Sequence, residues 1–574
     1  MSAKITRIYT LLIALLLTAG STWAQTTFTH EGIPYEVIDD TAVRVGRVYQ
    51  FDFSGDVTIP ATVTRGAKKY DVTAIGSEAF RNCNLITGID IPKSVTSIGG
   101  AAFVGCVSLK DITIPAGVTT ISYRTFAGCS KLTSVTIPAS VTSIEGLAFH
   151  NCNSLIDIDI PASVTSIEAG AFLYCRSLTG ITIPDGVTSI GHETFAYCSN
   201  LTNIGIPASV ASIENGAFYG CNSLTSITIP DGVPSIGRET FSYCVSLTEI
   251  DIPASVTSIG LKAFYNCEAL TGIVIPASVP SIGDEAFYGC RSLASITVAA
   301  DNPNYKDIDG VLFSKDGTRL VIYPAGKSDN HYTIPAGVTS ISKYAFGDCR
   351  KLISIAIPAG VTSIGSRAFY GCSRLTSITI PNGVPSIEYG TFTYCVSLTG
   401  VDIPASITLI ENCAFEHCEA LTDITIPAGV KSIGHQAFSF CRSLTGITLQ
   451  GATPPTLGDQ TSNPPLTGIY VPFEAKNAYI AAPAWSIHAS LIKGIYTITF
   501  NSQGGTPVNT QSIKEDARPL TVAVPTAPTR EGYKFSGWYK DAACTSRWKF
   551  SRGVVSQNVT LYAKWTPFRQ KKRS

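Results

Sequence analysis

The sequence has little charge and no excess of either sign. Charged residues make up 15% of its 574 residues, and 42 Lys and Arg balance 42 Asp and Glu. An ordinary globular chain carries about 25% charged residues. Binding to nucleic acid or to an anionic membrane needs a basic surface, which this balance does not supply. We therefore expect no nucleic-acid partner.

Long apolar runs are missing beyond the N-terminus. The mean hydropathy is +0.22, yet the one long apolar stretch, Ile8–Ala19, is too short to span a bilayer. Lys4 and Arg7 precede it and Thr22-Trp23-Ala24 follows it, which is typical of an export signal rather than of a buried N-terminal helix. The sequence predicts a signal peptide over residues 1–24, cleaved near Ala24. The mature chain is expected to be secreted or on the cell surface, without a transmembrane segment.

Residues that carry catalytic or metal chemistry are also scarce. Enzymes and metal sites need bases, nucleophiles or ligands that converge in a pocket. No Gly-rich phosphate loop is present, and two His–Cys neighbours, His150 with Cys152 and His417 with Cys418, pair a variable position with a repeated cysteine. The seven histidines are scattered without ligand spacing: His30, His150, His192, His331, His417, His435 and His488. We expect no enzyme, no cofactor and no metal.

What the sequence does contain is a repeat of 23 residues. Fifteen of its 17 cysteines fall in register, at Cys83 and every 23 residues to Cys290, and again from Cys349 to Cys441. A Phe precedes each by three positions, and Ile-Pro follows most of them. Self-similarity at a fixed period of this length indicates a solenoid, in which each coil is too thin to bury its apolar residues alone.

Apolar spacing predicts the shape of one coil. Ile112 and Ile114 alternate with a polar residue, as in a short strand, and Pro115 ends that strand. The spacing of Val118 and Ile121 suggests a second strand, and the three-residue spacing of Phe and Cys suggests a helical or 3₁₀ turn. The predicted fold class is a mostly β leucine-rich repeat solenoid with short helical or 3₁₀ turns.

One cysteine at the same place in every coil argues against a disulfide framework, which shows varied loops and paired half-cystines. We interpret the column as buried free thiols that pack as small apolar residues. Disulfides between adjacent coils and a metal array are the less favoured alternatives. Cys413 occupies a variable position and is expected to be exposed, and the redox states of Cys413 and Cys544 stay open.

The repeated string resembles the BspA-like leucine-rich repeat family. It reads Ile-Pro-x-x-Val-Thr-x-Ile-Gly-x-x-Ala-Phe-x-x-Cys, for example over 252–267, and the resemblance covers about residues 26–493. It implies a secreted or cell-surface protein that adheres to host matrix proteins, epithelial cells or other microbes.

Three segments depart from the repeat and set the predicted domains. Residues 25–75 form an N-terminal cap with an enlarged first coil, and repeat blocks occupy 76–298 and 333–450. Between them, residues 299–332 predict a β-hairpin insert, from two apolar runs in 311–323 around Asp316-Gly317. This insert is either a binding element or a structural coil. A C-terminal cap is predicted over 451–493.

Residues 494–567 differ in kind from the repeats. The strings Gly537-Trp538-Tyr539 and Leu561-Tyr-Ala-Lys-Trp565 resemble the internalin-type B repeat, which implies a small β-grasp-like module that serves as a stalk or spacer. Its aromatic residues are predicted to form a core rather than a binding site. The basic tail, 568–574, reads as a solvated terminus rather than an anchor.

Tyrosines that lie just after the repeated Phe give a candidate binding face, because Tyr supplies rigid, amphipathic contact area. The alternative is that they fill gaps between coils. The candidate residues, with three from the insert, are Tyr174, Tyr197, Tyr219, Tyr243, Tyr265, Tyr288, Tyr370, Tyr394, Tyr305, Lys315 and Asp316.

The sequence therefore favours a non-catalytic adhesion protein that binds a protein ligand on a host or microbial surface, including the extracellular matrix. A glycan-binding surface protein is one alternative, for which rows of Tyr and Thr are suited. A structural spacer or surface-layer component is the other.

Overall fold

The computed structural model describes residues 27–48, 53–459, 464–518 and 520–568. The predicted signal peptide lies outside these residues, as does the tail beyond 568. The chain divides into two compact units, Met1–Asp316 with Pro324–Lys327, and Gly317–Tyr323 with Ser328–Ser574. They are called unit 1 and unit 2 below.

Unit 1 consists of a small N-terminal sheet followed by stacked coils. Its strands are β1 (Thr27–His30), β2 (Ile33–Val37), β3 (Ala42–Val45), β4 (Gly55–Thr58), β5 (Thr62–Arg65), β6 (Lys68–Ile75), β7 (Ile86–Asp90), β8 (Ser97–Ile98), β9 (Asp111–Thr113), β10 (Thr120–Ile121), β11 (Ser134–Thr136), β12 (Ser143–Ile144), β13 (Ser166–Ile167), β14 (Gly180–Thr182), β15 (Ser189–Ile190), β16 (Asn203–Gly205), β17 (Ser212–Ile213), β18 (Gly272–Ile275), β19 (Ser295–Val298), β20 (Tyr305–Ile308) and β21 (Val311–Ser314).

The N-terminal sheet joins the coils through β6. Strands β1, β2 and β3 form an antiparallel meander, and β3 then pairs in parallel with β6. The end of β6 pairs in parallel with β8 of the first repeat coil, where Ile75 lies opposite Ile98. The sheet is therefore continuous with the coil at its end, which suits a cap over the apolar columns.

Many coils contribute two short parallel strands, and equivalent residues of successive coils lie side by side. Ile112 of β9 pairs with Val135 of β11, and Ile121 of β10 pairs with Ile144 of β12, in both cases 23 residues apart. Isolated bridges such as Thr228 with Asp251 continue the same register. The sequence period is thus the period of the backbone hydrogen bonds, and the predicted solenoid is confirmed.

The third side of a coil is a run of tight turns rather than the predicted helical or 3₁₀ segment. In one coil the amides of Thr125, Cys129 and Leu132 each donate to the carbonyl three residues before. Two residues in the left-handed region, Arg124 (φ 58°) and Gly128 (φ 77°), separate these bonds. Left-handed residues cannot continue a right-handed helix, so no helix lies among the described residues of the repeat coils.

A stack of phenylalanines fills the centre of the coils. In unit 1 it runs from Phe80 to Phe287, with ring centroids 5.4–5.7 Å apart and nearly parallel planes. A second stack runs from Phe346 to Phe438 in unit 2. Because the rings are buried and in direct contact, each coil completes the core of its neighbours.

The repeated cysteines are free, buried thiols, as predicted, but they are also hydrogen-bond donors. Cys129 Sγ donates to the carbonyl oxygen of Phe103 at 3.1 Å, and the same carbonyl accepts from the amide of Cys106. The bond recurs from coil to coil at 3.0–3.2 Å. Burial raises the pKa of Cys129 to about 12, which keeps the thiol protonated and able to donate.

Thiol titration tests this assignment. We expect at most two of the seventeen cysteines of the native protein to react with a disulfide reagent at pH 8, and all seventeen after denaturation without reductant, because burial keeps the column protonated and inaccessible. Contrary to prediction, Cys413 is half-buried rather than exposed, and burial raises its pKa to about 11. Its reaction should therefore be slow, and Cys413→Ser should remove it. Fewer than sixteen reactive thiols after denaturation would indicate disulfides.

The first two strands of the predicted insert, β20 and β21, form a layer of unit 1 and not a protrusion. Strands β20 and β21 pair antiparallel around Asp309-Gly310. Val311 and Phe313 of β21 are fully buried, and the amide of Ile296 in β19 donates to the carbonyl of Gly310. These contacts favour the structural alternative for the hairpin.

Unit 2 contains the second block of coils and the C-terminal region. Its strands are β22 (Arg319–Ile322), β23 (His331–Thr333), β24 (Ser340–Ile341), β25 (Ser354–Ala356), β26 (Ser363–Ile364), β27 (Ser377–Thr379), β28 (Ser386–Ile387), β29 (Gly400–Asp402), β30 (Leu409–Ile410), β31 (Asp423–Ile426), β32 (Ser432–Ile433), β33 (Gly446–Leu449), β34 (Thr456–Leu457), β35 (Gly468–Pro472), β36 (Ile492–Asn501), β37 (Gln511–Lys514), β38 (Tyr533–Tyr539) and β39 (Val559–Pro567). Its helices are the α-helices Lys476–Ala481 and Pro483–Ser486 and the 3₁₀ helices Phe473–Ala475 and Ala489–Leu491.

Strand β36 belongs to both the coils and the C-terminal module. Its first half pairs in parallel with β35, where Ile469 lies opposite Ile492 at the usual 23-residue interval. Its second half pairs in parallel with β39, from Ile498 opposite Val559. The carboxylate of Glu515 adds a link, since it accepts from Lys476 Nζ at 2.7 Å and from the amide of Gly494 at 2.6 Å. The module therefore begins as the next rung of the coil sheet.

The aromatic residues of the C-terminal module form its core, as predicted. Trp538 and Trp548 are buried, and Phe500 packs edge-on against Trp538. The described part of the module is a mixed sheet of β36, β37, β38 and β39 without a helix. Its likeness to a β-grasp stays a prediction.

Candidate functional site

The predicted tyrosines lie next to one another in two rows of rings. The first aromatic ladder, in unit 1, has centroid separations of 4.5–5.9 Å and comprises His150, Tyr174, Tyr197, Tyr219, Tyr243, Tyr265 and Tyr288. The second aromatic ladder, in unit 2, has separations of 4.3–6.0 Å and comprises Tyr344, Tyr370, Tyr394, His417 and Phe440. His150, Tyr344, His417 and Phe440 were missed because they break the tyrosine pattern, although the 23-residue period places them in the rows.

Four of the ladder tyrosines have a strained backbone conformation. Tyr174, Tyr197, Tyr243 and Tyr394 lie directly before a column cysteine with φ of 59–61°. A residue with a side chain loses about 1–2 kcal/mol in this left-handed region. Most other coils place Gly or Asn there, and in the ladders the aromatic residue then lies one position earlier, as Tyr219 does before Gly220. From Tyr174 to Tyr288 each coil thus has one ladder ring, placed either directly before the cysteine or one position earlier.

The ladder rings are partly exposed. Tyr197, Tyr243 and Tyr394 are 37–42% exposed, and the other candidate tyrosines in the ladders are half-buried. Burial, with a hydrogen bond to the Tyr197 hydroxyl, raises the pKa of Tyr219. Burial also raises the pKa of Tyr370. These phenols are therefore protonated and can donate hydrogen bonds at neutral pH.

Basic side chains of the protein itself lie over several ladder rings. Arg176 is 5.5 Å from the ring centroid of Tyr174, and Lys262 Nζ is 5.2 Å from that of Tyr265. The guanidinium of Arg367 lies over Tyr370 at 5.7 Å in unit 2. Such cation–π contacts show that the rings present attractive faces to cations.

A groove opens beside the first aromatic ladder. It has a volume of about 650 Å³ and lies at Tyr197, Tyr219 and Gly216, with the carboxylates of Glu193 and Glu239 around it. Gly216 has no side chain, so the groove stays open at this position. A Cβ added there would point into the space beside Glu193 and lie 3.3 Å from its Cγ.

The structure does not bring the three insert residues into either ladder. Tyr305 is buried, and its hydroxyl accepts from the amide of Ile282 at 3.2 Å, so it is not available to a ligand. Lys315 and Asp316 are exposed. Lys315 Nζ donates to the carbonyl of Ala300, and Asp316 accepts from Ser314 Oγ. Tyr305 is therefore withdrawn from the candidate face, and its burial follows from its place on the first strand of the hairpin layer.

The described residues do not bring candidate metal ligands together. Within residues 27–48, 53–459, 464–518 and 520–568, no group of three or more His, Cys, Asp or Glu could hold a metal ion. His150 lies in the first aromatic ladder, where burial and Arg124 lower its pKa. His417 lies between the rings of Tyr394 and Phe440. Both histidines thus belong to ladders rather than to ligand sets.

The repeat coils match a known family over well over half of the chain. Residues 73–202, 188–317 and 329–456 match the BspA type leucine-rich repeat region, in six copies. The chain belongs to the BspA-type leucine-rich repeat family. Residues 496–564 match the Listeria-Bacteroides repeat domain, in agreement with the B-repeat resemblance.

Relatives among curated proteins share only a short segment with this BspA-type chain. Internalin H of Listeria monocytogenes is 34% identical over 82 residues, which is 14% of each chain. A protein named as a membrane protein in Evansella cellulosilytica is 35% identical over 80 residues, or 14% of this chain and 12% of that one. The chain therefore spans only about an eighth of the length of these relatives.

Solved structures of bacterial leucine-rich repeat proteins are also similar. One from Bacteroides ovatus is 28% identical, with a TM-score of 0.49, and the match covers 74% of this chain and 94% of that one. A leucine-rich cell surface protein from Faecalibacterium prausnitzii is 31% identical with the same coverage and a TM-score of 0.38. No helix among the described residues of the present chain is long and apolar enough to cross a membrane.

Proposed function

We propose that this BspA-type protein is exported to the cell surface and there binds a protein partner on a host or microbial surface, without catalysis. The observation that carries the proposal is the strained, partly exposed aromatic ladder. If these tyrosines only filled gaps, Gly or Asn before the cysteine and Tyr one position earlier would serve in every coil, as they do at Tyr219 and Tyr265. Strain that is retained at exposed aromatic residues is typical of a binding surface.

Two features of the surroundings fit a protein ligand. The groove beside the first aromatic ladder is open, unlike the enclosed, convergent polar pocket that binds a small substrate. A row of threonines follows the repeated Leu of the coils, and the hydroxyls of many of them donate to backbone carbonyls inside the fold. Thr133 Oγ1, for example, donates to the carbonyl of Lys110 in the preceding coil at 3.0 Å. Partner contacts should therefore concentrate on the ladders.

The test replaces strained tyrosines by the residue that fits their backbone. Asn occupies the equivalent left-handed position at Asn151 (φ 63°) and Asn266 (φ 57°). We expect the double variant Tyr197→Asn and Tyr243→Asn to keep its stability within about 1 kcal/mol, because relief of strain offsets lost stacking. Its affinity for the partner should fall at least tenfold, since tyrosine hot spots contribute about 2 kcal/mol or more.

Binding should be measured on immobilised matrix proteins, on epithelial cells and on a glycan array. Tyr→Phe at the same two positions is the control, because it keeps the rings and removes only the hydroxyls. If the Asn variant bound the partner as tightly as wild type, the first aromatic ladder would not be part of the interface. Binding to glycans alone would favour the glycan alternative, and wild-type protein without measurable affinity for any surface would favour a structural spacer.

A further inference from the structure

A second column of left-handed residues runs through the coils, five positions before each cysteine. Over five successive coils of unit 1 it contains Glu193, Gly216, Glu239, Lys262 and Glu285, all with φ between 52° and 65°. Because the backbone is alike at all five, the side chains alone differ. Within these five coils the column is acidic at every second coil, with a glycine in one of the two gaps between carboxylates and a lysine in the other.

Lys262 shows how the protein fills such a gap. Its ammonium lies 5.2 Å from the ring centroid of Tyr265 in its own coil and 3.6 Å from Glu285 Oε2 in the next coil. A ring face and a carboxylate together form a favourable site for a cation. The lysine is only about one-third exposed there, so most of its side chain is covered.

Two coils earlier the same site has no lysine. Tyr219 corresponds to Tyr265, and Glu239 corresponds to Glu285, each 46 residues before, whereas Gly216 stands where Lys262 would be. The groove of about 650 Å³ described above lies at this point, with Glu193 on its other side. The set Glu193, Gly216, Tyr219 and Glu239 is called the notch below.

Two basic side chains also line the notch, but neither takes the place of Lys262. Arg238 pairs with Glu239 at 3.1 Å, with 60% of its side chain exposed. Among the cation–π contacts of the described residues, none involves Arg238 or the ring of Tyr219. His192 is directed to Glu214, at 3.8 Å. The carboxylate of Glu193 has no ion pair within the described part of the chain.

We propose that the notch binds a lysine or arginine side chain of a protein ligand, which takes the place that Lys262 takes two coils further on. The proposal rests on the protein-binding function above and specifies one contact within it. Two carboxylates and a tyrosine favour a cation over a neutral sugar, and they disfavour acidic glycans by like-charge repulsion.

The notch can be closed and a second one opened by exchanging two residues. Gly216→Lys should fill the notch from within, because Lys262 adopts φ 55° at the equivalent position and the nearest atom to a new Cβ at 216 is the flexible Cγ of Glu193. Lys262→Gly should create a matching notch between Glu239 and Glu285. Both variants keep the backbone geometry that the column already contains.

The probe is the peptide acetyl-Gly-Lys-Gly-amide at millimolar concentration, with its Nε-acetyl-lysine form as the uncharged control. Binding is followed on the full chain by saturation-transfer NMR. We expect wild type to bind the lysine peptide about five- to tenfold more strongly than the acetylated one. Gly216→Lys should lose this preference, and Lys262→Gly should double the number of sites.

Equal binding of the two peptides, or an unchanged preference in Gly216→Lys, would overturn the notch. Wild type could instead bind a neutral oligosaccharide more strongly than the lysine peptide, and Gly216→Lys could abolish that binding. This result would identify the ligand of the notch as a sugar and would also overturn the proposal. These outcomes are separate from the adhesion test, because the lysine preference is measured on wild type and on Gly216→Lys, both of which keep Tyr197 and Tyr243. Loss of partner binding in that variant with no lysine preference in wild type would leave the proposed function standing without the notch.

Discussion

Replacing Phe218 by alanine is expected to lower the free energy of unfolding of the coils around it by about 3–5 kcal/mol. The ring is fully buried and lies 5.7 Å from Phe195 and 5.6 Å from Phe241. Backbone hydrogen bonds hold neighbouring coils at a fixed spacing, so the cavity cannot collapse and both flanking rings lose a contact face.

Local stability is the right measurement for this variant, because long repeat arrays depart from two-state unfolding. Amide hydrogen exchange should show the loss of protection in the coils that contain Phe195, Phe218 and Phe241 before it appears elsewhere. Val274→Ala is a matched control, since Val274 is 57% exposed on a strand of the same unit and its truncation should change stability by less than about 0.5 kcal/mol. A loss below about 1 kcal/mol for Phe218→Ala would show that the stack contributes little.

Deleting one whole coil is expected to leave unit 1 folded, whereas deleting half a coil is expected to unfold the coils around the cut. Removal of residues 130–152 joins Cys129 to Asn153 and keeps every column in register. Thr120 then faces Ser166 in place of Ser143, in the parallel pairing that both already use. Each coil contacts only its neighbours, so the array closes over the gap.

Removal of residues 130–141 is the matched comparison, because it deletes fewer residues but shifts both strand ladders out of register. Circular dichroism should show native-like strand content for the 23-residue deletion. Limited proteolysis should show extensive cleavage of the 12-residue deletion. Equal damage by both deletions would contradict the independence of the coils.

Much of the fold could be predicted from the sequence because a solenoid repeats its contacts. The spacing of Phe and Cys fixed which residues form the buried columns, and the structure confirms both. Spacing carries no information on backbone handedness, however, so a helical turn was expected where Arg124 and Gly128 form left-handed turns. Likewise, burial of the cysteines followed from the pattern, but the bond from Cys129 Sγ to the Phe103 carbonyl depends on atomic positions.

The candidate site could be predicted only in part, for a related reason. Tyr197 and Tyr219 occupy different positions of the repeat, and only the structure shows that the two backbone routes bring their rings within 5.1 Å. The notch could not be predicted from the sequence because it is marked by the lack of a side chain at Gly216. That lack has a meaning only once the structure shows that Lys262 fills the equivalent position. Tyr305 was misplaced because a hairpin layer hides one of its strand faces.

Strand β36 has a mechanical consequence. A pull on the end of β39 is passed to β36 through parallel pairing, and from β36 to β35 through a second parallel register that begins at Ile469 and Ile492. Force along such strands shears several hydrogen bonds at once instead of opening them one by one. Tension applied to the C-terminal module therefore acts directly on the coil sheet. The sheet from β31 to β39 would resist this force as one continuous β-structure.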